Sequence, residues 1–297
     1  MTKLRVFIFS LLLLSVFSAV PKTYIVYGAL PAAHLSESSI SISPKIIYQG
    51  DPVMVTITSS SFPVEIMFDN KNIPIFMYSG KPSGFIGIDF NLKAGVHQVD
   101  VKFKDGKTIN NPITVTAREK IEEPFSIPAK LGGNTKVAQT NLVNNLSKEN
   151  ATLVNIKTGT KAFWTKAFRA PLSSLTVTDP YGYNRKTGEY TIPHKGTDFH
   201  AVEGTKVMAM NRGVVRIAHT YTVYGKTIIV DHGFGLSTLY MHLSKIYVAE
   251  GELVQSGQVI GLSGKTGYAE VPHLHLSIKI NGISIDPVKF LEFFGVM

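Results

Sequence analysis

The chain has 297 residues, 44% of them hydrophobic and 17% charged, which supplies ordinary cores for a leader and two domains and argues against long disordered segments. Its formal net charge of +9 is spread along the chain without a basic run, which excludes a nucleic-acid arm and leaves a mild affinity for polyanionic surfaces. There is no cysteine, so disulfides, thiolate nucleophiles and Cys-type zinc sites are excluded and any metal must be held by His, Asp or Glu.

Lys3 and Arg5 precede an apolar run over 6–20, broken only by Ser10, Ser15 and Ser18. A basic start and a short apolar core read as a secretory signal over 1–20, shorter than the ~20 apolar residues a spanning helix needs. Ser18, Ala19 and Ala29 are the candidate cleavage positions, and an uncleaved anchor is the other reading. Either way the chain is expected to be exported, to the periplasm or cell envelope.

From 39 to 116 short alternating runs are separated by turn residues. The expected strands are 39–47, 53–58, 64–68, 73–78, 85–90, 97–103 and 113–116. Seven short strands in so little chain predict a β-sandwich over 38–117 of immunoglobulin-like type. No cluster of ligand-type residues falls there, and His97 reads as a solvent-facing strand residue.

Residues 118–167 have the acidic, proline and Gly132-Gly133 composition of a linker. Within it Val137, Leu142, Leu146, Leu153 and Ile156 are spaced for a short helix over 134–156. Trp164, the only tryptophan, is expected to anchor this linker. From 168 to 297 the text is again β-rich, with strands near 177–183, 207–218, 227–230, 237–242, 258–263 and 273–280 and a short capping helix over 286–294. The expected fold class is mostly β: an N-terminal sandwich followed by a compact antiparallel β domain.

The chemistry lies in that second domain. In Pro272-His273-Leu274-His275-Leu276, extended chain sends His273 and His275 to one face and the two leucines to the other. Upstream stand His194-Lys195-Gly196-Thr197-Asp198 and Tyr240-Met241-His242-Leu243. His194, Asp198 and His275 would give a zinc ion its usual three protein ligands with one position left open. Gly196 is read as the bend that lets 194 and 198 converge. His242 and His273 remain for proton transfer, while no His-Glu-x-x-His helix exists to supply a glutamate base. Glu203 and Glu270 are fallback bases, read as solvated loop residues. His200 and His219 are read as structural or exposed, and His232 as a hydrogen-bonding turn residue. Tyr240 shares the expected strand face with His242, and either lines the groove or packs.

These motifs resemble the lysostaphin/LytM-type zinc endopeptidases, peptidase family M23, over about 168–293. His194-Lys195-Gly196-Thr197-Asp198 matches the family's first signature and the stretch from Asp231-His232-Gly233 to Tyr240-Met241-His242-Leu243 its central one. Gly257-Gln258-Val259-Ile260-Gly261, Ser263-Gly264-Lys265-Thr266-Gly267, His273-Leu274-His275-Leu276, Asn281-Gly282 and Asp286-Pro287 follow in the family's order. Two departures are the turn Tyr181-Gly182-Tyr183-Asn184-Arg185 and Met241, which stands where a small residue is frequent. The resemblance implies one Zn2+ on His194, Asp198 and His275, catalysis by His242 and His273, and peptidoglycan crosslinks as substrate. It also likens the sandwich, more weakly, to the accessory domain of some of these peptidases. A monomer is expected, with membrane contact only through an uncleaved leader. The competing classes are a non-catalytic wall-binding protein or amidase activator, and a zinc-binding structural module. The length and mixed composition of 118–167 add one expectation, that it lies across the groove and restrains activity.

Overall fold

The computed structural model describes residues 38–154, 156–164 and 166–297, so the reading of a secretory signal over 1–20 lies outside the described residues. Among them no helix is long and apolar enough to cross a membrane.

Between Ser39 and Thr116 two sheets face each other. One has four strands in the order Ser39–Ser43, Pro52–Thr58, Lys81–Gly87, Phe76–Tyr78; the other has five, in the order Ile47–Tyr48, Thr108–Thr116, Gly95–Phe103, Pro63–Phe68, Lys71–Ile73. Val53, Val55, Ile57, Ile66, Val99 and Val101 are buried between them, the alternation that a two-sheet core requires. Two expected strands each divide and change sheet. The run 39–47 breaks around Pro44, and 73–78 breaks at Pro74. Proline cannot donate to a ladder, so the chain leaves one sheet there and joins the other.

His97 corrects its sequence reading. Its Nδ1 lies 2.6 Å from Asp69 Oδ2, its Nε2 2.7 Å from the Lys93 carbonyl, and its ring packs on Phe68. It is a paired, half-buried residue and not a free surface one.

The four-stranded sheet is apolar on both faces. Met54, Phe76 and Phe85 point away from the sandwich core and join Trp164, Phe168, Phe290 and Leu291 in a second, larger core. Gly87 lets the backbones meet: a Cβ there would stand 3.2 Å from side-chain carbons of Ile280 and Ile285. Arg118 fastens the polar rim, donating to Asp51 Oδ1 at 2.9 Å, Asp286 Oδ2 at 2.8 Å and the Gln49 carbonyl at 2.7 Å.

Residues 118–167 contribute to sheet, helix and core. Glu122–Pro124 pairs in parallel with Asn184–Thr187. Helix α1 spans Lys136–Val154, and Trp164 is buried against Phe76, Tyr78, Phe85 and Phe168.

The C-terminal half is built on a sheet in the order Val177–Asp179, Thr197–His200, His273–Ile280, Leu236–Leu243, Lys226–Gly233, Gly213–Thr220, Leu253–Val254, with Ile283–Ile285 beside His273–Ile280. All these pairings are antiparallel. Helix α2, Pro287–Phe293, closes one end; Asp286 caps it, accepting the Val288 and Lys289 N–H groups, and the proline occupies its first turn.

Candidate active site

Ladder register brings the first and last motifs together. Asp198 is paired with His275, His200 with His273, and Met241 with His275 across three adjacent strands. Leu274 and Leu276 are fully buried in the larger core, so His273 and His275 face the other way, as period-two alternation requires.

His194, Asp198 and His275 converge. His194 Nε2 lies 3.2 Å from Asp198 Oδ1 and 3.1 Å from His275 Nδ1, and His275 Nδ1 lies 2.7 Å from Asp198 Oδ1. All three are buried, with ligand atoms within 4.8 Å of one another. His194 Nδ1–H donates to the Pro180 carbonyl at 2.8 Å, which fixes the tautomer and leaves the Nε2 lone pair pointing inward. Two imidazole nitrogens and one carboxylate oxygen form a zinc donor set, and the geometry fits that ion.

Gly196 is needed for space and not for the bend expected of it. A Cβ there would stand 2.4 Å from His275 Nε2 and 2.6 Å from the Leu276 carbonyl oxygen, and its φ lies outside the left-handed region. Only a residue without a side chain lets the His275 ring lie over the chain between the other two ligands.

Arg185, which belongs to the divergent turn Tyr181-Gly182-Tyr183-Asn184-Arg185, completes this group. It donates to Asp198 Oδ2 at 2.6 Å and also pairs with Asp179 Oδ2. One oxygen of Asp198 is thereby held by the guanidinium while the other faces the imidazoles. Burial pushes the Asp198 carboxyl up, but His194 and His275 more than offset it and hold it well below the usual range. No spacing rule links 179 or 185 to 198, and only the fold reveals the contact.

His242 and His273 stand beside the ligands. The His242 ring lies 4.9 Å from His273 and 5.9 Å from His275, centroid to centroid. Both rings donate Nδ1–H to a backbone carbonyl, His242 to Thr266 at 2.8 Å and His273 to Val271 at 2.9 Å. Nε2 is the ring nitrogen left over in each, that of His273 lying 3.7 Å from Asp198 Oδ1. Burial, helped by the neighbouring His273 and His275, pushes the His242 imidazole down to about 3, so it is neutral around pH 7.

Strand alternation would place Tyr240 on the same side as His242, and it does not. His242 has φ +61° and re-aims its side chain. Leu239, Met241 and His242 line one cavity, whereas Tyr240 is buried in the opposite core with its hydroxyl taking the Met210 N–H at 2.9 Å. A histidine held left-handed at a site is strain maintained by its surroundings.

The remaining candidates lie elsewhere. Glu203, Glu270, His200 and His219 are exposed. His232 is buried, donating Nδ1–H to the Arg212 carbonyl with Nε2 at 2.8 Å from Thr238 Oγ1. Met241 is buried on the cavity wall.

Helix α1 crosses the same cavity, which has a volume of about 310 Å³. Leu142, Leu146, Asn150 and Leu153 line it opposite His194, His242 and His275. The buried Glu149 carboxylate accepts the Val223 N–H at 2.9 Å and the Tyr224 N–H at 3.1 Å, and the Tyr224 hydroxyl donates to Asn150 at 2.8 Å. Sequence periodicity indicated the helix but not this contact, since nothing in an isolated glutamate identifies two distant N–H partners.

Comparison with known proteins assigns the region. Residues 192–287 match the profile of Peptidase family M23. The DD-carboxypeptidase/endopeptidase Mpg of Neisseria meningitidis is 39% identical over 120 residues, covering 40% of this chain and 28% of its own. Peptidoglycan DD-endopeptidase ShyA of Vibrio cholerae is 41% identical over 97 residues, 33% of this chain and 23% of its own. The matches therefore span only about a quarter of those relatives. A Pseudomonas aeruginosa crystal structure described as a putative peptidase M23 superposes with TM-score 0.61 at 24% identity, over 82% of this chain and 94% of its own, which shows a shared fold. With the convergent His194, Asp198 and His275 inside the matched region, residues 192–287 are a peptidase family M23 domain.

Proposed function

We propose that this chain is a zinc-dependent endopeptidase that hydrolyses peptide crosslinks of bacterial peptidoglycan. One observation carries the reading: two further imidazoles, each anchored through Nδ1 on a backbone carbonyl, stand beside three converging ligand atoms. A structural zinc site would have no use for the additional pair, and a binding module would need neither. The named relatives support the substrate and a D,D-linked bond.

His194, Asp198 and His275 would hold the ion, which when bound supplies Lewis-acid polarisation and acidifies water. The chain's own residues do the rest. His242 Nε2, neutral and fixed by Thr266, accepts the proton of the attacking water and returns it to the leaving amine. His273, held through Nδ1 by the Val271 carbonyl, would steady the developing oxyanion with a proton on Nε2. Arg185 keeps Asp198 oriented through its Oδ2. The protein acts in the cell envelope as a monomer, and α1 restrains it by covering the groove.

Purified peptidoglycan digested with zinc and with chelator, fragments being read by mass, tests the assignment. Metal-dependent loss of crosslinked dimers, absent in His242→Ala, is expected. Intact crosslinks after treatment with zinc-loaded Glu149→Ala, in which the restraint is loosened, would move the wall-binding reading ahead.

A further inference from the structure

The strand His273–Ile280 carries more than the two histidines on its groove face. By alternation His273, His275, Ser277 and Lys279 share that face, and the last three line the cavity under α1. Lys195, next to the ligand His194, lines it as well.

Neither lysine has an acidic partner among the described residues. The lysines of the described residues that do form ion pairs are Lys186 with Glu122 and Lys289 with Glu292, both on the surface. Asp89, the one carboxylate on the cavity wall that lies outside the ligand group and its arginine, accepts the Asn91 N–H of its own loop instead. Ser277 donates to the Lys195 carbonyl at 2.7 Å, and no hydrogen bond joins it to Lys279. Among the described residues the only hydrogen bond of the Lys279 ammonium is a long one, 3.4 Å, to the carbonyl of Leu153 in the last turn of α1. Burial, with the charge of Lys195 added, pushes its pKa down to about 8. A half-buried cation without a counter-ion is costly, and it suits a place where an anion arrives.

We propose that Lys279 is the specificity-determining residue of the groove, receiving a free carboxylate of the crosslinked peptide about 13 Å along the strand from His275. This rests on the peptidoglycan-cleaving reading above. The Leu153 carbonyl, at the negative end of the helix dipole, stands where an oxygen of that carboxylate binds, so substrate replaces the end of α1 at the ammonium. Lys195, exposed at the mouth, adds attraction but no fixed contact. The ligand is a peptide whose free carboxylate lies about four extended residues from the bond cut.

The test is calorimetric binding of a crosslinked peptide dimer with free carboxylates, against the same dimer amidated. It uses the metal-free full chain, which binds without cutting, and the full chain carrying Glu149→Ala. The free-carboxylate dimer is expected to bind roughly tenfold tighter, the size of one charge-assisted hydrogen bond net of desolvation. Lys279→Gln abolishes that ratio and Lys279→Arg retains it. A role confined to capping α1 would shift the melting temperature of Lys279→Gln and leave the ratio alone. Equal binding of the two dimers, an undiminished ratio in Lys279→Gln, or binding of neither dimer overturns the proposal. Zinc-dependent cutting of the same dimers is scored separately: no cutting counts against the peptidase reading, and cutting with equal binding against Lys279 alone.

Discussion

Loosening α1 should release activity, and Glu149 is the place to do it. Its carboxylate is buried and accepts two backbone N–H groups of the 223–224 turn, and the Tyr224 carbonyl in turn accepts the His242 N–H at 3.0 Å. Hydrogen bonds to an ionised acceptor contribute about 1.5–3 kcal/mol each, partly recovered when water reaches the freed N–H groups. Glu149→Ala should therefore shift the closed–open balance of α1 by about 2–3 kcal/mol, roughly 30–150-fold in open population where the closed form dominates. The assay is the initial rate of crosslink loss from purified peptidoglycan, with amide hydrogen exchange over 136–154 measured in parallel. A rate gain of tenfold or more is expected, with exchange accelerated in α1. Because Glu149 touches the turn that holds His242, Leu142→Ala serves as an independent perturbation. It removes a contact from the apolar cluster that also holds Val223 of that turn, at a cost of about 2–4 kcal/mol, but leaves the turn's hydrogen bonds in place. Faster exchange in α1 with the cleavage rate unchanged within twofold in both variants would refute the restraint.

Three further outcomes are expected. Gly196→Ala places a methyl 2.4 Å from the His275 ring and 2.6 Å from a backbone oxygen that cannot retreat, so zinc affinity, read by chelator competition, should fall at least tenfold. Arg118→Ala leaves Asp51 and Asp286 buried without their shared partner; a loss of about 3–5 kcal/mol, read by denaturant unfolding, is expected. His232 is held neutral, its pKa pushed down to about 4 by burial, and its ring is bonded to Arg212 and Thr238 and not to the metal ligands. Protons then bind the unfolded chain first, so its stabilising effect is complete above about pH 6.5 and drains away towards pH 4. By pH 5 the loss reaches about 2 kcal/mol, and this part of the acid sensitivity should vanish in His232→Asn when melting curves are compared from pH 7 to 5.

The sequence made the β character and the two-sheet arrangement readable because alternation and turn residues are local signals. Val53, Val55 and Ile57 announce one buried face. Met54 between them looks like an outward residue, and it is buried too, because a second core lies on that side. Nothing within the strand distinguishes a face covered by another part of the chain from one covered by water. The same limit hid Arg118, a charged residue in apparent linker that joins Asp51 to Asp286 across long separations.

At the site, spacing succeeded where the backbone stayed regular and failed where it did not. His273 and His275 share a face because their strand runs unbroken, and register alone sets His275 against Asp198. Applied to Tyr240 and His242, the same rule gave the two a common face and left the tyrosine either lining the groove or packing. The φ of +61° at His242 reverses the last step of alternation and sends the imidazole to the side of Met241. That conformation costs free energy in a non-glycine residue, of order 1–3 kcal/mol. The His242 N–H to the Tyr224 carbonyl and Nδ1–H to the Thr266 carbonyl fix it from two separate loops. A regular strand would have buried the imidazole beside Tyr240, away from the ligands. The irregular residue is thus what places a neutral imidazole beside the His194–Asp198–His275 group, and it sits where local pattern and the candidate site disagree.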